Sequence, residues 1–176
     1  LTRSLSPRAI GLIAALAVLA IDQGHKYWML NVFDISGRGR VGMTPFFDLV
    51  LSWNRGVSYS FLADSGGATR AAMLAVQGAL IAGLAWWLSR VRQRWQGLAL
   101  GFIIGGALGN MTDRLARGAV ADFFYLHTDW PVGPLANYVF NVADVGITVG
   151  AVLLILEGFF GATKSPTSRL MDGEEL

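Results

Sequence analysis

The chain has no cysteine among its 176 residues. That removes disulfides, thiol nucleophiles, thiolate metal sites and lipid-modified cysteine in one step. Histidine is almost as scarce. With only His25 and His127, and no His-Glu-x-x-His, a histidine-rich metal centre and the common zinc-protease motif are also excluded. Charged residues make up 15% of the chain and the net charge is only +2, too little for an electrostatic nucleic-acid binder. No internal repeat is visible. What fills the sequence instead is apolar: the hydrophobic fraction is 53% and the mean hydropathy +0.48, which points to an integral membrane protein. The length suits a single domain.

Four apolar stretches stand out, at about residues 10–30, 71–88, 97–113 and 139–160. Each approaches the ~20 residues that cross a bilayer, the third only with its flanks. The first is preceded by Arg3 and Arg8 as a secretory signal would be, but it runs on into Asp22 and Trp28 without a small-residue cleavage site. We therefore read it as a span. Arg3 and Arg8 lie before the first span, Arg90, Arg92 and Arg94 between the second and third, and Lys164 and Arg169 after the fourth. The positive-inside rule makes all three regions cytoplasmic, so both termini lie inside and the connections 31–70 and 112–138 lie outside. Arg38, Arg40, Arg55 and Arg117 run against that bias. Trp28, Trp53, Trp130 and Tyr138 would form an outer aromatic belt, and Trp86, Trp87 and Trp95 an inner one.

The first outer connection reads as more than a linker. Phe-Phe-Asp-Leu-Val-Leu-Ser-Trp (46–53) is strand-like, and 57–62 alternates after the Asn54-Arg55-Gly56 break, so a small sheet is expected over about 38–65. The tail 163–176 is polar and is expected to be disordered. The expected fold class is thus an all-α integral membrane protein, with four transmembrane helices and a small extracytoplasmic β-sheet.

Chemistry has few places to reside in such a chain. Asp22 and Lys26 are four apart, acid first, the favourable order for a helical ion pair, with Lys26 snorkelling outward. Gly105-Gly106-Ala107-Leu108-Gly109 is a small-residue face for close helix packing; it lacks the Lys-Ser/Thr of a phosphate loop. Asn110, Asp113 and Arg114 follow one turn apart, and the simplest reading has Arg114 neutralising Asp113. Asp122 and Asp144 have no cation within three positions. Alone, either reads equally well as a helix cap or a solvated loop acid. Together they lie on the same outer side at one depth, where two carboxyls that meet would share a proton and titrate as a unit. Asn54, before the permissive Gly56, and Asn141, three before Asp144, look like supporting hydrogen-bonding groups. Ser58 and Ser60 have no partnering base nearby, and His127 reads as a loop residue. A small transporter whose acids bind protons, or a non-catalytic assembly subunit, are the rival readings.

The order Asp22-x-x-x-Lys26, Asn54-x-Gly56, Gly109-Asn110-x-x-Asp113-Arg114, Val120-Ala-Asp122-Phe123 and Phe140-Asn141-Val-Ala-Asp144 resembles the bacterial lipoprotein signal peptidases (signal peptidase II). The likeness runs from about residue 10 to 160. It implies a four-helix aspartyl endopeptidase of the bacterial cytoplasmic (inner) membrane, with a periplasmic β-cradle, an outer loop over the site and no cofactor or metal. The implied substrate is a diacylglyceryl-modified prolipoprotein, cut on the amino side of its lipid-modified cysteine within the membrane lipid; the implied inhibitors are globomycin-like cyclic peptides. Asp122 and Asp144 fall on the catalytic dyad. Asp22, Lys26, Asn54, Gly56, Asn110, Asp113, Arg114, Asn141 and Ala143 fall on supporting or substrate-binding positions. A monomer is expected, because one chain supplies both acids. The chain departs from the family pattern in a longer interval at 128–137 and in bulkier residues, Val-Ser-Tyr-Ser-Phe, after Gly56.

Overall fold

The computed structural model describes residues 5–56, 66–128, 130 and 137–161. The expected strand at 57–62, Ser58, Ser60 and the tail 163–176 lie outside the described residues. Helix α1 covers Pro7–Asn31, with Pro7 in its first turn and the Ser6 hydroxyl accepting from the Ala9 amide at 3.2 Å. A single-turn helix, α2 (Ile35–Arg38), leads into β1 (Val41–Thr44) and β2 (Phe47–Asn54). Helices α3 (Gly66–Leu88) and α4 (Arg94–Arg117) follow, then β3 (Val120–His127), β4 (Asn137–Phe140) and α5 (Val142–Gly161).

Helix α4 is the centre of the bundle, packed against α1, α5 and α3. Glycine makes the α1 contact close. Gly97, Gly101, Gly105 and Gly109 recur every fourth residue and so share one face. A methyl on Gly97 would strike the Pro7 carbonyl, on Gly101 the Gly11 carbonyl, and on Gly105 the Ala15 carbonyl. The small-residue face read at 105–109 is therefore the end of a longer stripe. The outward faces are apolar, with Leu16, Val76, Leu80 and Ile155 all exposed, as befits helices whose solvent is hydrocarbon. Pro7–Asn31, Arg70–Leu88 and Val142–Phe159 are long and apolar enough to cross a membrane. Helix α4 is long enough but more polar: it carries Asn110, Asp113, Arg114 and Arg117 in its last two turns, and it is sheltered by its neighbours.

The sheet is larger than the sequence reading allowed. Its four antiparallel strands run in the order β1-β2-β3-β4. Two of them come from the second connection, where no strand was expected. Residues 139–140, placed in the fourth span, belong with 137–138 to strand β4, and the helix starts at Val142. Continuous apolar character does not separate a strand from a helix end; aromatic Tyr138 and Phe140 on alternate positions were the available signal. One face of the sheet seals onto the end of α1, where Met29, Ile35, Ala121 and Phe123 are buried together. That contact fixes β3, and Asp122 with it, above the helix bundle.

Candidate active site

Three helices and two strands bring the polar side chains of the chain to one end of the bundle. The Lys26 ammonium, fully buried, lies 2.8 Å from Asp22 Oδ2 and 2.8 Å from Asp113 Oδ2. It also donates to Asn110 Oδ1 at 3.3 Å. It does not snorkel. Two carboxylates from two helices hold it inside, because a buried charge survives only with such partners. Asp22 Oδ1 accepts from the Ala143 amide at 2.9 Å, and Asp113 Oδ2 from the Ala121 amide at 3.2 Å. The ion cluster thus pins the start of α5 and the start of β3 to the α1–α4 seam. Ala143 and Gly109 leave room for this: a side chain on Gly109 would strike the Asp22 carboxylate.

Above that base sit the two remaining acids. Asp122, on β3, accepts from Asn141 Nδ2 at 2.6 Å on Oδ1 and from Asn54 Nδ2 at 3.1 Å on Oδ2. Asn54 is held by the Gly56 amide, which donates to its Oδ1 at 2.9 Å; Gly56 takes φ +86°, and a side chain there would strike Met73. Asp144 lies in the first turn of α5. Its Oδ2 accepts from the Asn141 amide at 3.1 Å while its own amide donates to Asn141 Oδ1 at 3.0 Å, a reciprocal cap that satisfies two orphan donors. The bond expected between Asn141 and Asp144 is there. Asn110 Nδ2 donates to Asp144 Oδ1 at 2.9 Å, and Asn110 Oδ1 accepts from Asn141 Nδ2 at 3.1 Å. Asn110 and Asn141 therefore link the two acids to each other and to Lys26. Burial pushes the Asp122 carboxyl up to about 6; the nearby Asp144 charge adds to this, and the Asn54 and Asn141 hydrogen bonds oppose it.

Arg114 does not neutralise Asp113, whose partners are Lys26 and Arg117. Its guanidinium turns the other way, donating from Nη1 to Gln77 Oε1 on α3 at 3.1 Å, while its charge acts on Asp122, Asp144 and Asp113. One turn of helix separates Arg117 from Asp113, and i,i+4 geometry gives it the closer approach.

A family model described as signal peptidase (SPase) II matches residues 14–160. The lipoprotein signal peptidase of Nitrobacter hamburgensis is 43% identical over 164 residues, 92% of this chain and 100% of that protein. That of Beijerinckia indica subsp. indica is 46% identical over 155 residues, 88% of this chain and 90% of its own length. The chain belongs to the signal peptidase II family. Among solved structures, a bacterial membrane enzyme determined in meso at 2.3 Å resolution has the same fold, with TM-score 0.68 at 23% identity over 94% of this chain and 93% of that one. Membership makes the protein a peptidase, and its apolar helices make it a multi-pass membrane protein.

Ten of the eleven residues marked in the sequence lie in this one network; the eleventh, Arg114, turns to Gln77 on α3. Asp122 and Asp144 reach the network from different elements. Gln23 and Gln77 were missed. Gln23 Nε2 donates to Asp22 Oδ2 and to the Gly109 carbonyl, each at 3.1 Å. Gln77 also donates to the Ala107 carbonyl at 2.9 Å, tying α3 to α4. Gln77 is a lone amide in an apolar run, and that was its signal; Gln23 sits among Asp22, His25 and Lys26, where nothing set it apart. Away from the site, His127 Nε2 lies 3.1 Å from Asp48 Oδ2 on the sheet, beside Arg40.

Proposed function

We propose that the chain is an intramembrane aspartyl endopeptidase that removes the signal peptide from diacylglyceryl-modified prolipoproteins. The observation that carries this reading is the convergence of Asp122 and Asp144, from β3 and α5, on the shared side chains of Asn141 and Asn110. Two carboxyls held this way in a weakly polar setting are suited to hold one proton between them. One carboxylate takes a proton from water as the water oxygen attacks the scissile carbonyl, and the other carboxyl donates to the carbonyl oxygen. Collapse of the tetrahedral adduct breaks the C–N bond. The departing nitrogen, the new amino terminus of the lipid-modified cysteine, takes up the proton held by the first aspartate, while a hydroxyl of the adduct returns its proton to the second, so both aspartates regain their starting states. No cofactor enters this scheme. Asp22, Lys26 and Asp113 hold the framework; Asn54, Gly56, Asn110, Asn141 and Ala143 orient the acids; Arg114 supplies positive potential toward them.

The same reading sets the chain in the bacterial inner membrane with four crossings, α4 included, and both termini cytoplasmic. The sheet then lies at the outer leaflet, where the lipid of the substrate enters sideways from the bilayer. A monomer suffices, and globomycin-like cyclic peptides are the expected inhibitors. The test uses the full chain with a diacylglyceryl-modified prolipoprotein, scored by release of the signal peptide. Asp122→Asn and Asp144→Asn should each abolish turnover while leaving the fold intact. Near-normal cleavage by either variant would falsify the dyad.

A further inference from the structure

We propose that the groove between α3 and α4 is a binding site for an anionic phospholipid, with the headgroup phosphate at Arg70 and Arg114 and an acyl chain along Met73, Val76 and Leu80. Arg55, Arg70 and Arg114 line one small cavity together with Met73 and Gly118. Met73 and Arg114 also line the adjoining cavity, of about 430 Å³, whose other walls are Ala72, Val76, Gln77 and Leu80. The arginine-lined cavity, of about 10 Å³, holds no more than a water, so a phosphate sits at its rim, where the shared Met73 and Arg114 adjoin the apolar trough.

The rim is built rather than incidental. Arg70 donates from Nη2 to the Arg114 carbonyl at 2.8 Å and the Leu115 carbonyl at 2.9 Å, which locks its guanidinium at the end of α4. Arg114 is tethered through Nη1 to Gln77, and its Nε is buried with no hydrogen-bond partner. A buried N–H left this way marks a missing acceptor. Among the described residues neither Arg70 nor Arg114 forms an ion pair, whereas Arg40 and Arg117 do. In the proposed orientation these arginines also lie on the side that the positive-inside bias depletes of cations, where an anion from the bilayer supplies the balance.

The ligand class follows from both halves of the groove. The diacylglyceryl group of the proposed substrate is neutral and gives the guanidiniums no counter-charge. Inorganic phosphate has no use for the apolar trough. A phospholipid with net negative charge satisfies the two together, since guanidinium forks pair well with phosphate oxygens.

The site goes beyond the peptidase reading and is scored without turnover. The full chain would be placed in nanodiscs of phosphatidylcholine with graded phosphatidylglycerol, and the lipids retained by the protein counted by native mass spectrometry. One phosphatidylglycerol should be held in preference to phosphatidylcholine. Arg70→Gln should weaken that preference by about 10-fold, the scale of lost hydrogen bonds to a charged group. Arg70→Lys should restore most of it, which separates loss of the anion site from a loosened helix end. Val76→Trp should block the trough and lower retention with the charges intact. Equal retention of both lipids, no effect of Arg70→Gln and Val76→Trp, or full displacement by inorganic phosphate would each overturn the proposal. Peptidase turnover of the unaltered chain, measured in parallel, keeps the two readings apart: cleavage without any preference for phosphatidylglycerol sinks only this site, and that preference without cleavage sinks only the peptidase reading.

Discussion

At the scale of single residues, the protonation of Asp122 is a contest that the surrounding side chains decide. Burial favours the neutral carboxyl, and Asp144 nearby pushes the same way; Asn54 and Asn141 donate to the carboxylate and pull back. The balance at about 6 means that the proton is largely held at pH 5 and largely lost at pH 7. Asn54→Ala removes one stabilising donor from the ionised form, so the proton should be held to higher pH. The corresponding break in kcat/KM against pH should move in the alkaline direction whichever role Asp122 plays in the dyad. The shift should be on the order of one pH unit, because a hydrogen bond to a charged group contributes about 1.5 kcal/mol or more and one unit is about 1.4 kcal/mol. A break that stays in place, or moves toward acid, would show that Asn54 does not act on the ionised carboxylate. Both acids were readable in the sequence because no nearby residue could neutralise them. Their linkage through Asn110 and Asn141 was not, since residues 31 positions apart announce no contact. Lys26 misled for the same reason: an i,i+4 pair at a membrane edge looks solvated until Asp113 closes over it from another helix.

At the scale of elements, the α1–α4 seam and the sheet show opposite degrees of legibility. The helices were visible as long apolar runs, and glycine recurrence pointed to close packing. Strand β3 was hidden inside a connection, because its first half, Val-Ala-Asp-Phe, is buried on both faces and so lacks the clean alternation of a half-exposed strand. The seam is where packing can be tested. A methyl group on Gly105 would meet the Ala15 carbonyl oxygen at 2.5 Å and Val18 Cβ at 2.9 Å, and rigid helix backbone cannot yield cheaply. Gly105→Ala should therefore lower stability by about 1–3 kcal/mol, the usual cost of overpacking, read as a drop in Tm in detergent. Activity should fall with it, since Asp22 and Lys26 on α1 hold Asp113 on α4. Gly83→Ala is the control: nothing lies within 4 Å of an added methyl there, and Ala is the better helix former. Equal losses at both positions would mean that helix flexibility, not the seam, is what the substitutions disturb.

At the scale of the molecule, the fold divides labour between a tight group of helices and a more open side. Helices α1, α4 and α5 pack on one another, whereas α3 packs mainly on α4 and meets α1 through Leu88 at its end. The sheet covers one end, and it is there that both acids sit; on the proposed function, a substrate held in the bilayer reaches them from the lipid side. A cavity of about 250 Å³ opens against Asp144, walled by Leu126, Tyr138 and Phe140 of the sheet and by Val145, Thr148 and Val149 of α5. Apart from Asp144 and Thr148 the walls are apolar or aromatic, which suits an acyl chain or an apolar peptide side chain entering beside the dyad. Val149 is 39% exposed in its wall, so a larger side chain there fills the cavity without breaking the core. Val149→Trp should leave Tm nearly unchanged. It should raise KM for a diacylglyceryl-modified substrate by about 10-fold, the equivalent of losing one well-buried apolar group, with kcat little changed because the contact is made equally before and during reaction. If instead kcat falls and KM holds, the cavity acts on the transition state and belongs to the peptide around the scissile bond. That outcome would shift the entry of the lipid to another face of the bundle.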